Sequence, residues 1–442
     1  MTAIGRRERT SELVRIAFRN LGRHKVKTVI TTTAVALGIL AYLYMDAFLL
    51  GTNTESRRNL VNFETGAAKI YSRAYWDKRE ELPLYEGFAG SAEIGERLRR
   101  EGYDVAPRAT FVGSLLSQKE ELPFVFVGVD PEAERRVLRY HRYVDPDGGG
   151  HFPANGVFEI LLGIKGAKDL GVRTGDTVRL STVIDKRDEN GVLRHINQVI
   201  DLVVAGAVNS PDPVVNGYIG YLPLGILQDE AGILLGGDVT ELIIRKTGAR
   251  EDELPGSFES PETIARKLGE GLPESLVVVG WKENALDYLA ASAADVIQSI
   301  VFLGFFFVIV LMVIANTVLM AVLERTREIG MLRALGMTDA SVVKLFSIET
   351  GMIGLLGALI GLVLFLPINY WMVNYGIDYS PMMEEAGLSN LGYRVVGIFK
   401  SAWNFPSMAL SVVAATILSS ATALLPSLRA VRMTITSALR SE

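Results

Sequence analysis

The 442-residue sequence contains no cysteine, which excludes disulfides, thiolate metal sites and cysteine nucleophiles. Histidine occurs only four times, and no two of these residues form a zinc-binding HExxH motif: they are His24, His141, His151 and His195. The sequence also lacks a Walker-type nucleotide loop, a GxSxG nucleophile motif and a carboxylate pair with catalytic spacing. We therefore predict a non-catalytic chain that holds no metal or cofactor of its own.

Long apolar runs are abundant. Hydrophobic residues make up 49% of the chain although 21% of its residues are charged. Four runs are long enough to cross a bilayer as helices, and they cover residues 28–50, 296–323, 345–373 and 407–428. The predicted fold class is a membrane protein with four transmembrane α-helices and a large mixed α/β domain inserted between the first and second spans.

This pattern predicts three domains. Residues 1–52 form an N-terminal amphipathic helix and the first span, residues 53–290 the large domain, and residues 291–442 the last three spans with their connections. In the large domain, segments typical of strands begin near 67, 124, 176, 198 and 240, and helical segments begin near 91 and 260. A glycine run at 148–150 is a candidate boundary if the domain has two subdomains.

The N-terminal segment is basic, with eight arginines and lysines and only two glutamates among residues 1–27. Its apolar residues recur at helical spacing, which predicts an amphipathic helix on a membrane surface. A nucleic-acid-binding arm is the alternative, and the apolar run that follows disfavours it. That run is too long for the hydrophobic part of a signal peptide and has no small-residue cleavage site after it, so we expect an uncleaved signal-anchor.

The arginines and lysines that flank the spans predict the orientation of the chain. The N-terminal segment, the loop at 324–344 and the C-terminal tail all carry an excess of positive charge. Positively charged short segments stay on the cytoplasmic side of a membrane. Both termini are therefore expected in the cytoplasm, and the large domain and the loop at about 374–405 on the opposite side.

The connection between the second and third apolar runs, Leu323 to Gly336, has the composition of a helix. Three residues form an apolar stripe, namely Ile329, Leu332 and Leu335. Charged residues cover the rest of the surface: Glu324, Arg325, Arg327, Glu328 and Arg333. Such a helix suits docking to a partner that moves the spans on both sides. A solvated helix lying on lipid headgroups is the alternative.

The third apolar run carries glycines that permit close helix packing, Gly354, Gly357 and Gly361. It also carries Glu349 near its start, a candidate intramembrane polar residue. Ionisable groups within membranes are costly and often functional. Glu349 is also near enough to the surface to reach water or to pair with Arg333 or Lys344, so a purely structural role stays open.

Five segments, in the same order along the chain, resemble the FtsX-like permease domain and the periplasmic core of the MacB/LolC/LolE group of ABC transporters. They are IAFRNLGRHKVKTVITTTAVALGI (16–39), VFVGVDPE (125–132), LGIKGAKDLGVRTGDTVRLS (162–181), ERTREIGMLRALGMT (324–338) and PSLRAVRMTITSALR (426–440). The resemblance covers nearly the whole chain. It implies a multi-pass protein of the bacterial inner membrane with a periplasmic large domain.

The resemblance also implies partners. Such permeases act as dimers, either of one chain or with a sister permease, together with an ATPase dimer that binds ATP and Mg²⁺. In this chain the ATPase would dock on the 324–336 helix and place the eight residues named above at the interface. ATP-driven motion would then be transmitted mechanically to the periplasmic domain. Membrane lipids are expected partners, and nucleic acids are not.

The substrate is the least determined part of this prediction. The size and unfused form resemble LolC and LolE, which implies extraction of lipoproteins from the inner membrane and transfer to a periplasmic carrier. MacB-like efflux of peptides or small molecules with an adaptor is the first alternative. FtsX-like control of a cell-wall hydrolase is the second, and the large outer domain disfavours it. A membrane-anchored sensor that binds no ATPase is a further alternative.

Overall fold

The computed structural model describes residues 14–431 except 20–21, 23–24, 146–148, 188–192, 231–232, 235–237, 252–265, 267, 287, 386–392 and most positions from 291 to 335. The chain divides into two compact units. The membrane unit comprises Met1–Gly51, Ala293–Ile377 and Lys400–Glu442. The large domain comprises Thr52–Ser292 and Asp378–Phe399. The segment 378–399, which the sequence placed in the permease domain, thus groups with the large domain.

The main elements are numbered along the chain. The helices are α1 Lys25–Leu60, α2 Arg73–Asp77, α3 Ser91–Arg100, α4 Pro131–Val137, α5 Ile164–Leu170, α6 Trp281–Asn284, α7 Asp339–Asn374, α8 Ser380–Glu385, α9 Phe405–Thr422 and α10 Leu424–Val431. The strands are β1 Ala68–Ser72, β2 Tyr103–Leu116, β3 Glu121–Val129, β4 Glu159–Gly163, β5 Thr177–Arg187, β6 Leu193–Val208, β7 Ile219–Pro223, β8 Glu241–Lys246, β9 Leu276–Gly280, β10 Ile377–Asp378 and β11 Ile398–Phe399.

Three helical segments within the described residues are long and apolar enough to cross a membrane: Thr28–Thr65, Asp339–Asn374 and Phe405–Arg429. They correspond to the first, third and fourth predicted spans. The second predicted span, 296–323, lies mostly outside the described residues. Two of the helices begin at a side-chain cap that satisfies a free backbone N–H. Thr338 Oγ1 accepts from Ser341 N at 3.3 Å before α7, and Asn404 caps α9 in the same way.

The membrane unit has an apolar core between α1, α7 and α9. Val35, Ile39 and Leu43 of α1 are buried there with Phe365 of α7 and Met408 of α9. The other side of α7 exposes leucines and valines. This arrangement is typical of helices that pack together on one side and face lipid or another membrane chain on the other.

In the large domain, strands β1 to β9 form one sheet, and β2 is its branch point. The second half of β2 pairs with β3 from Arg108 to Leu116, and its last residues also pair with β5. The pairings continue from β5 through β6, β4 and β7 back to β3, so six strands close into a ring. The first half of β2 pairs with β8, and the sheet continues from β8 through β1 to β9. We call this part, from the first half of β2 to β9, the smaller sheet.

The ring encloses the main apolar core of the domain. Phe111, Phe124 and Phe126 lie at its centre, and the Phe111 and Phe126 rings are 5.4 Å apart. Strands on both sides of the glycine run at 148–150 pair within this ring, as β3 does with β7. The domain is therefore not divided at 148–150.

The structure confirms five predicted strands, β1, β3, β5, β6 and β8, and the predicted helix near residue 91. The helix predicted near 260 lies largely outside the described residues. Six strands were not predicted from the sequence: β2, β4, β7, β9, β10 and β11.

A buried ion pair joins β2 to α4. The Arg108 guanidinium donates from Nε to Glu134 Oε1 at 3.1 Å, and both side chains are almost fully buried.

Removing one partner of such a pair leaves a buried charge, which costs about 3–5 kcal/mol. We therefore expect Arg108→Met to lower the free energy of unfolding by about that amount, measured by urea denaturation of the full chain in detergent.

The control is Arg179→Met, since Arg179 pairs with Asp201 on β6 at 2.7 Å while both side chains stay exposed. Solvent screens exposed pairs, so this variant should unfold like the wild type. Equal denaturation curves for all three proteins would contradict the structural role of Arg108.

Candidate functional site

Most of the predicted ATPase-docking helix lies outside the described residues. This applies to Glu324, Arg325, Arg327, Glu328, Ile329, Leu332 and Leu335. Arg333 is described, and its Nε donates to Asp339 Oδ1 at 2.8 Å, in the first turn of α7. Gly336 between them has φ +94°, a left-handed conformation that glycine adopts without strain. Arg333 is thus held beside the first turn of α7, and the docking role of this segment stays a prediction.

Two of the predicted packing glycines face α1. A Cβ added at Gly357 would lie 2.6 Å from Val35 Cβ, and one at Gly361 would lie 2.6 Å from the Ala36 carbonyl oxygen. Both distances are shorter than any real Cβ contact, so the two helices approach as closely as they do only because both positions lack a side chain.

The third glycine, Gly354, faces α9. A Cβ there would lie 2.6 Å from Ser419 Cβ and 2.9 Å from the Ala415 carbonyl oxygen. The glycines of α7 therefore contact two different helices, α1 and α9. Glu349 lies on the same helix and is buried. A functional role for Glu349 stays a prediction.

A second candidate site was not predicted from the sequence, and we call it the Arg394 clasp. It consists of Arg394, Ser56, Asn59, Glu64 and Asp212. The Arg394 backbone N–H donates to Ser56 Oγ at 3.2 Å, and its carbonyl accepts from Asn59 Nδ2 at 2.6 Å. Its guanidinium pairs with Glu64 and, at 3.2 Å, with Asp212 Oδ2. Arg394 of the 378–399 segment is thus held from three places: the end of α1, Glu64 just after it, and Asp212 in the loop after β6.

Neighbouring contacts extend the clasp. The Val396 backbone N–H donates to the Pro211 carbonyl at 2.8 Å, and the Arg394 guanidinium lies 5.4 Å from the centre of the Tyr288 ring. Because backbone, ionic and cation–π contacts all converge on two residues, the segment is fixed in position on the large domain.

The buried carboxylate of the clasp has an unusual acidity. Burial raises the pKa of Asp212 to about 6, and repulsion from Glu64 acts in the same direction. Arg394 and the Val214 backbone N–H oppose this rise by stabilising the ionised form. Asp212 is therefore poised to change its charge in the mildly acidic range.

A cleft of about 420 Å³ lies on one face of the sheet, over strands β1, β8, β2, β3 and β7. Lys69, Arg108 and Glu241 project into it from one face of the smaller sheet. Lys69 Nζ donates to Glu241 Oε2 at 2.9 Å, and Arg108 Nη1 lies 3.9 Å from Glu241 Oε1. Burial alone would raise the pKa of Glu241, but these two cations outweigh it and hold the pKa below its usual value.

The same sheet face continues as an apolar patch on the neighbouring strands. Val125 and Val127 of β3 line the cleft beside Ile219 and Tyr221 of β7, and the register of β2 with β3 puts them on the face that carries Arg108. The floor of the cleft therefore has a charged part and an apolar part side by side. Within the described residues, no group of three or more acidic or histidine side chains could hold a metal ion.

Comparison with known proteins supports a single family. Residues 300–435 match the family described as FtsX-like permease C-terminal. The chain is 23% identical over 419 residues to the lipoprotein-releasing system transmembrane protein LolC of Neisseria meningitidis serogroup B, and the match covers 94% of each chain. It is 21% identical over 375 residues to the macrolide export ATP-binding/permease protein MacB of Burkholderia lata, covering 80% of this chain and 49% of MacB.

The chain contains an FtsX-like permease domain, and its relatives are ABC transporter permeases. Among solved structures, the extracellular domain of the noncanonic ABC-type transporter YknZ from Gram-positive bacteria aligns with 48% of the permease and 99% of that domain. The identity is 15% and the TM-score 0.28, too low to establish a common fold.

Sequence patterns could not have revealed the two additional sites of the permease. Arg394 is a single arginine in a loop, and its carboxylate partners are 330 and 182 positions away. The cleft residues come from β1, β2 and β8, and β2 itself was not predicted. The spacing of residues within β1 and β8 predicts only that Lys69 lies on the same sheet face as Tyr71, and Glu241 on the same face as Ile243.

The α1–α7 contact can be tested with Gly357→Ala. The added methyl group would collide with Val35, and overpacking of this kind costs about 1–3 kcal/mol. We expect a lower melting temperature in detergent. Gly304→Ala is the matched control because no described atom lies within 4 Å of the added carbon, so the control should be neutral or slightly stabilising. Equal destabilisation by both changes would refute the close α1–α7 packing.

Asp212→Asn tests the acidity of the clasp. A carboxyl group with a folded pKa of about 6, above its unfolded value, makes the folded state less stable as pH rises from about 4 to about 6. Asparagine does not titrate. We expect the wild type to lose stability relative to the variant over this range and no further above it, as measured by thermal unfolding at closely spaced pH values. A difference that is independent of pH would show that Asp212 titrates normally.

Proposed function

We propose that this permease is the membrane subunit of an ATP-driven machine that extracts lipoproteins from the inner membrane towards a periplasmic carrier. The observation that carries the proposal is the match to LolC along 94% of both chains. A match of that extent includes the large domain as well as the membrane helices, and substrate handling is expected to depend on the large domain.

The proposed mechanism is mechanical transmission. Two hydroxyl groups of α7 and α9 donate to carbonyls of their own helix, Thr350 to Phe346 and Thr416 to Val412. These described hydroxyls are therefore used within their helices and favour packing surfaces over a polar pore. α1 runs without interruption from Lys25 to Leu60, about 54 Å at 1.5 Å per residue, which exceeds the hydrocarbon thickness of a bilayer, about 30 Å.

In this mechanism the Arg394 clasp receives the motion. It holds the 378–399 segment, which follows α7 in the chain and precedes α9, on residues at the end of α1. A displacement of any of these helices would therefore pull on the same part of the large domain. The ATPase dimer would dock at 324–336, bind ATP and Mg²⁺ and supply the motion, and a second permease copy or a sister permease would complete the assembly.

The second candidate function is MacB-like efflux of peptides or small molecules with a periplasmic adaptor, because the chain also matches MacB over 80% of its length. Control of a cell-wall hydrolase is the third. These functions predict different partners for the same membrane machine, so identifying the partners distinguishes them.

The first test is affinity purification of the tagged permease in mild detergent with mass spectrometry of the bound proteins. We expect a nucleotide-binding subunit together with acylated lipoproteins or a lipoprotein carrier. Leu332→Asp should abolish binding of the ATPase by placing a charge in the apolar stripe of the docking helix. Val183→Asp, at an exposed position of the large domain, is the matched control and should retain the ATPase. Recovery of an adaptor or a hydrolase in place of lipoproteins would refute the proposed substrate.

Arg394→Lys tests the transmission. Lysine keeps the positive charge but cannot contact two carboxylates with the fork geometry of a guanidinium. We expect normal ATPase binding and ATP hydrolysis with lipoprotein release from proteoliposomes reduced several-fold. Arg135→Lys, at an exposed position of α4, is the control. Full release by Arg394→Lys would exclude the clasp from the transmission path.

A further inference from the structure

The Arg394 clasp contains more negative than positive charge. It holds residues 393–399 on the large domain, and we call these residues the latch. Glu64 and Asp212 share one guanidinium, that of Arg394, which lies 3.2 Å from Asp212 Oδ2. The Asp212 side chain is fully buried and the Glu64 side chain is partly exposed. Two carboxylates against one guanidinium leave one negative charge in excess, and burying an excess charge is costly. One proton on either carboxylate removes it.

Two tyrosines also face the cluster. Tyr221 of β7 interacts electrostatically with Asp212, and the centre of the Tyr288 ring lies 5.4 Å from the Arg394 guanidinium. Burial raises the pKa of Tyr221 well above its usual value, and tyrosine side chains are uncharged in the mildly acidic range. Among these groups, the two carboxyls can therefore take up a proton in that range. Burial favours Asp212 over the partly exposed Glu64 as the proton acceptor.

The loop that carries Asp212 is held by its own hydrogen bonds. The Ser210 backbone N–H donates to Asn216 Oδ1 at 2.7 Å, and Asn216 Nδ2 donates to the Ser210 carbonyl at 2.8 Å. The Val214 backbone N–H donates to Asp212 Oδ1 at 2.9 Å. Because these bonds lie within the loop, the carboxyl group would keep its place if the latch moved away.

The latch is bonded to the residue directly before Asp212. The Val396 backbone N–H donates to the Pro211 carbonyl at 2.8 Å. Asn59 Nδ2 contacts the Pro211 carbonyl at 3.3 Å and the Arg394 carbonyl at 2.6 Å. Departure of the latch would therefore open the buried carboxyl group to water. In water an aspartate has its usual pKa of about 3.9, so the undocked state would release the proton that the docked state binds.

We propose that docking of the latch on the large domain is coupled to the uptake of one proton by the Glu64–Asp212 pair, so that rising pH releases the latch. This device goes beyond the proposed function because it requires neither an ATPase nor a substrate.

The direction and size of the effect follow from the acidity of Asp212. Burial raises its pKa to about 6 and outweighs the opposing attraction of Arg394. A group whose pKa is higher in the docked state favours docking at low pH, and this advantage is lost as the pH rises to the docked pKa. With pKa values of about 6 docked and about 3.9 undocked, the undocking equilibrium increases about tenfold between about pH 5 and about pH 8.

Because the chain has no cysteine, single-cysteine variants of the full-length permease in lipid nanodiscs provide the test. Val395 lies in the latch and is 2% exposed. A methanethiosulfonate reagent should therefore modify Val395→Cys only when the latch is undocked. Val183→Cys, at a position that is 61% exposed, corrects for the effect of pH on thiol reactivity. We expect the corrected rate for Val395→Cys to rise about tenfold from about pH 5 to about pH 8.

Asp212→Asn in the Val395→Cys background distinguishes a proton-linked latch from an ordinary ion pair. Asparagine resembles the protonated carboxyl group, so we expect slow modification at every pH, slower than in the Val395→Cys parent at about pH 8. An ordinary ion pair predicts the opposite, since its loss would speed modification. Glu64→Gln in the same background removes a repulsion that raises the pKa of Asp212, so the rise in rate should move to lower pH.

Val178→Cys is the control for global unfolding, because Val178 is buried in the core of the ring. It should be modified much more slowly than Val395→Cys at every pH. Three results would overturn the proposal: a corrected rate for Val395→Cys that is independent of pH, faster modification after Asp212→Asn, or equal rates for Val178→Cys and Val395→Cys. The assay contains no ATPase and no lipoprotein, so its outcome is independent of the proposed function.

Discussion

Arg108 joins three parts of the large domain. Its backbone lies where β2 passes from the smaller sheet into the six-stranded ring, with Glu241 of β8 on one side and Val129 of β3 on the other. Its side chain pairs with Glu134 of α4 and approaches Glu241. Burying an arginine is costly unless every charge has a partner. The positions of the ring, the smaller sheet and α4 therefore depend on one another, and the cleft lies on the sheet face where they meet.

The membrane unit depends on a different constraint, the absence of side chains. Gly357 and Gly361 let α7 contact α1, and Gly354 lets the same helix contact α9. In lipid there is little hydrophobic gain from bringing apolar helices together, so close approach and van der Waals contact must supply the association. In the large domain a buried ion pair joins elements around an apolar core, whereas in the membrane unit steric fit between helices is the main constraint.

The sequence predicted features that depend on local pattern. Apolar runs identified the three described membrane helices, and segments typical of strands identified strands such as β6. β2 was not predicted because its sequence contains Pro107 and Gly113, and both residue types usually weaken a strand. The Arg394 clasp and the cleft escaped for another reason: their members are brought together by folding across many tens of residues, which no local pattern records.

The pairing of β1 with β9 sets a mechanical limit on the large domain. The chain enters the sheet at Ala68 and leaves it at Gly280, and these two residues are opposite each other in the antiparallel register. The Trp281 N–H also bonds to the Ala67 carbonyl at 3.1 Å. A force that separated the two connections would break the β1–β9 hydrogen bonds one after another. A pair of strands resists this direction of force least. The β1–β9 pairing therefore resists a force that acts on both connections in the same direction better than a force that separates them.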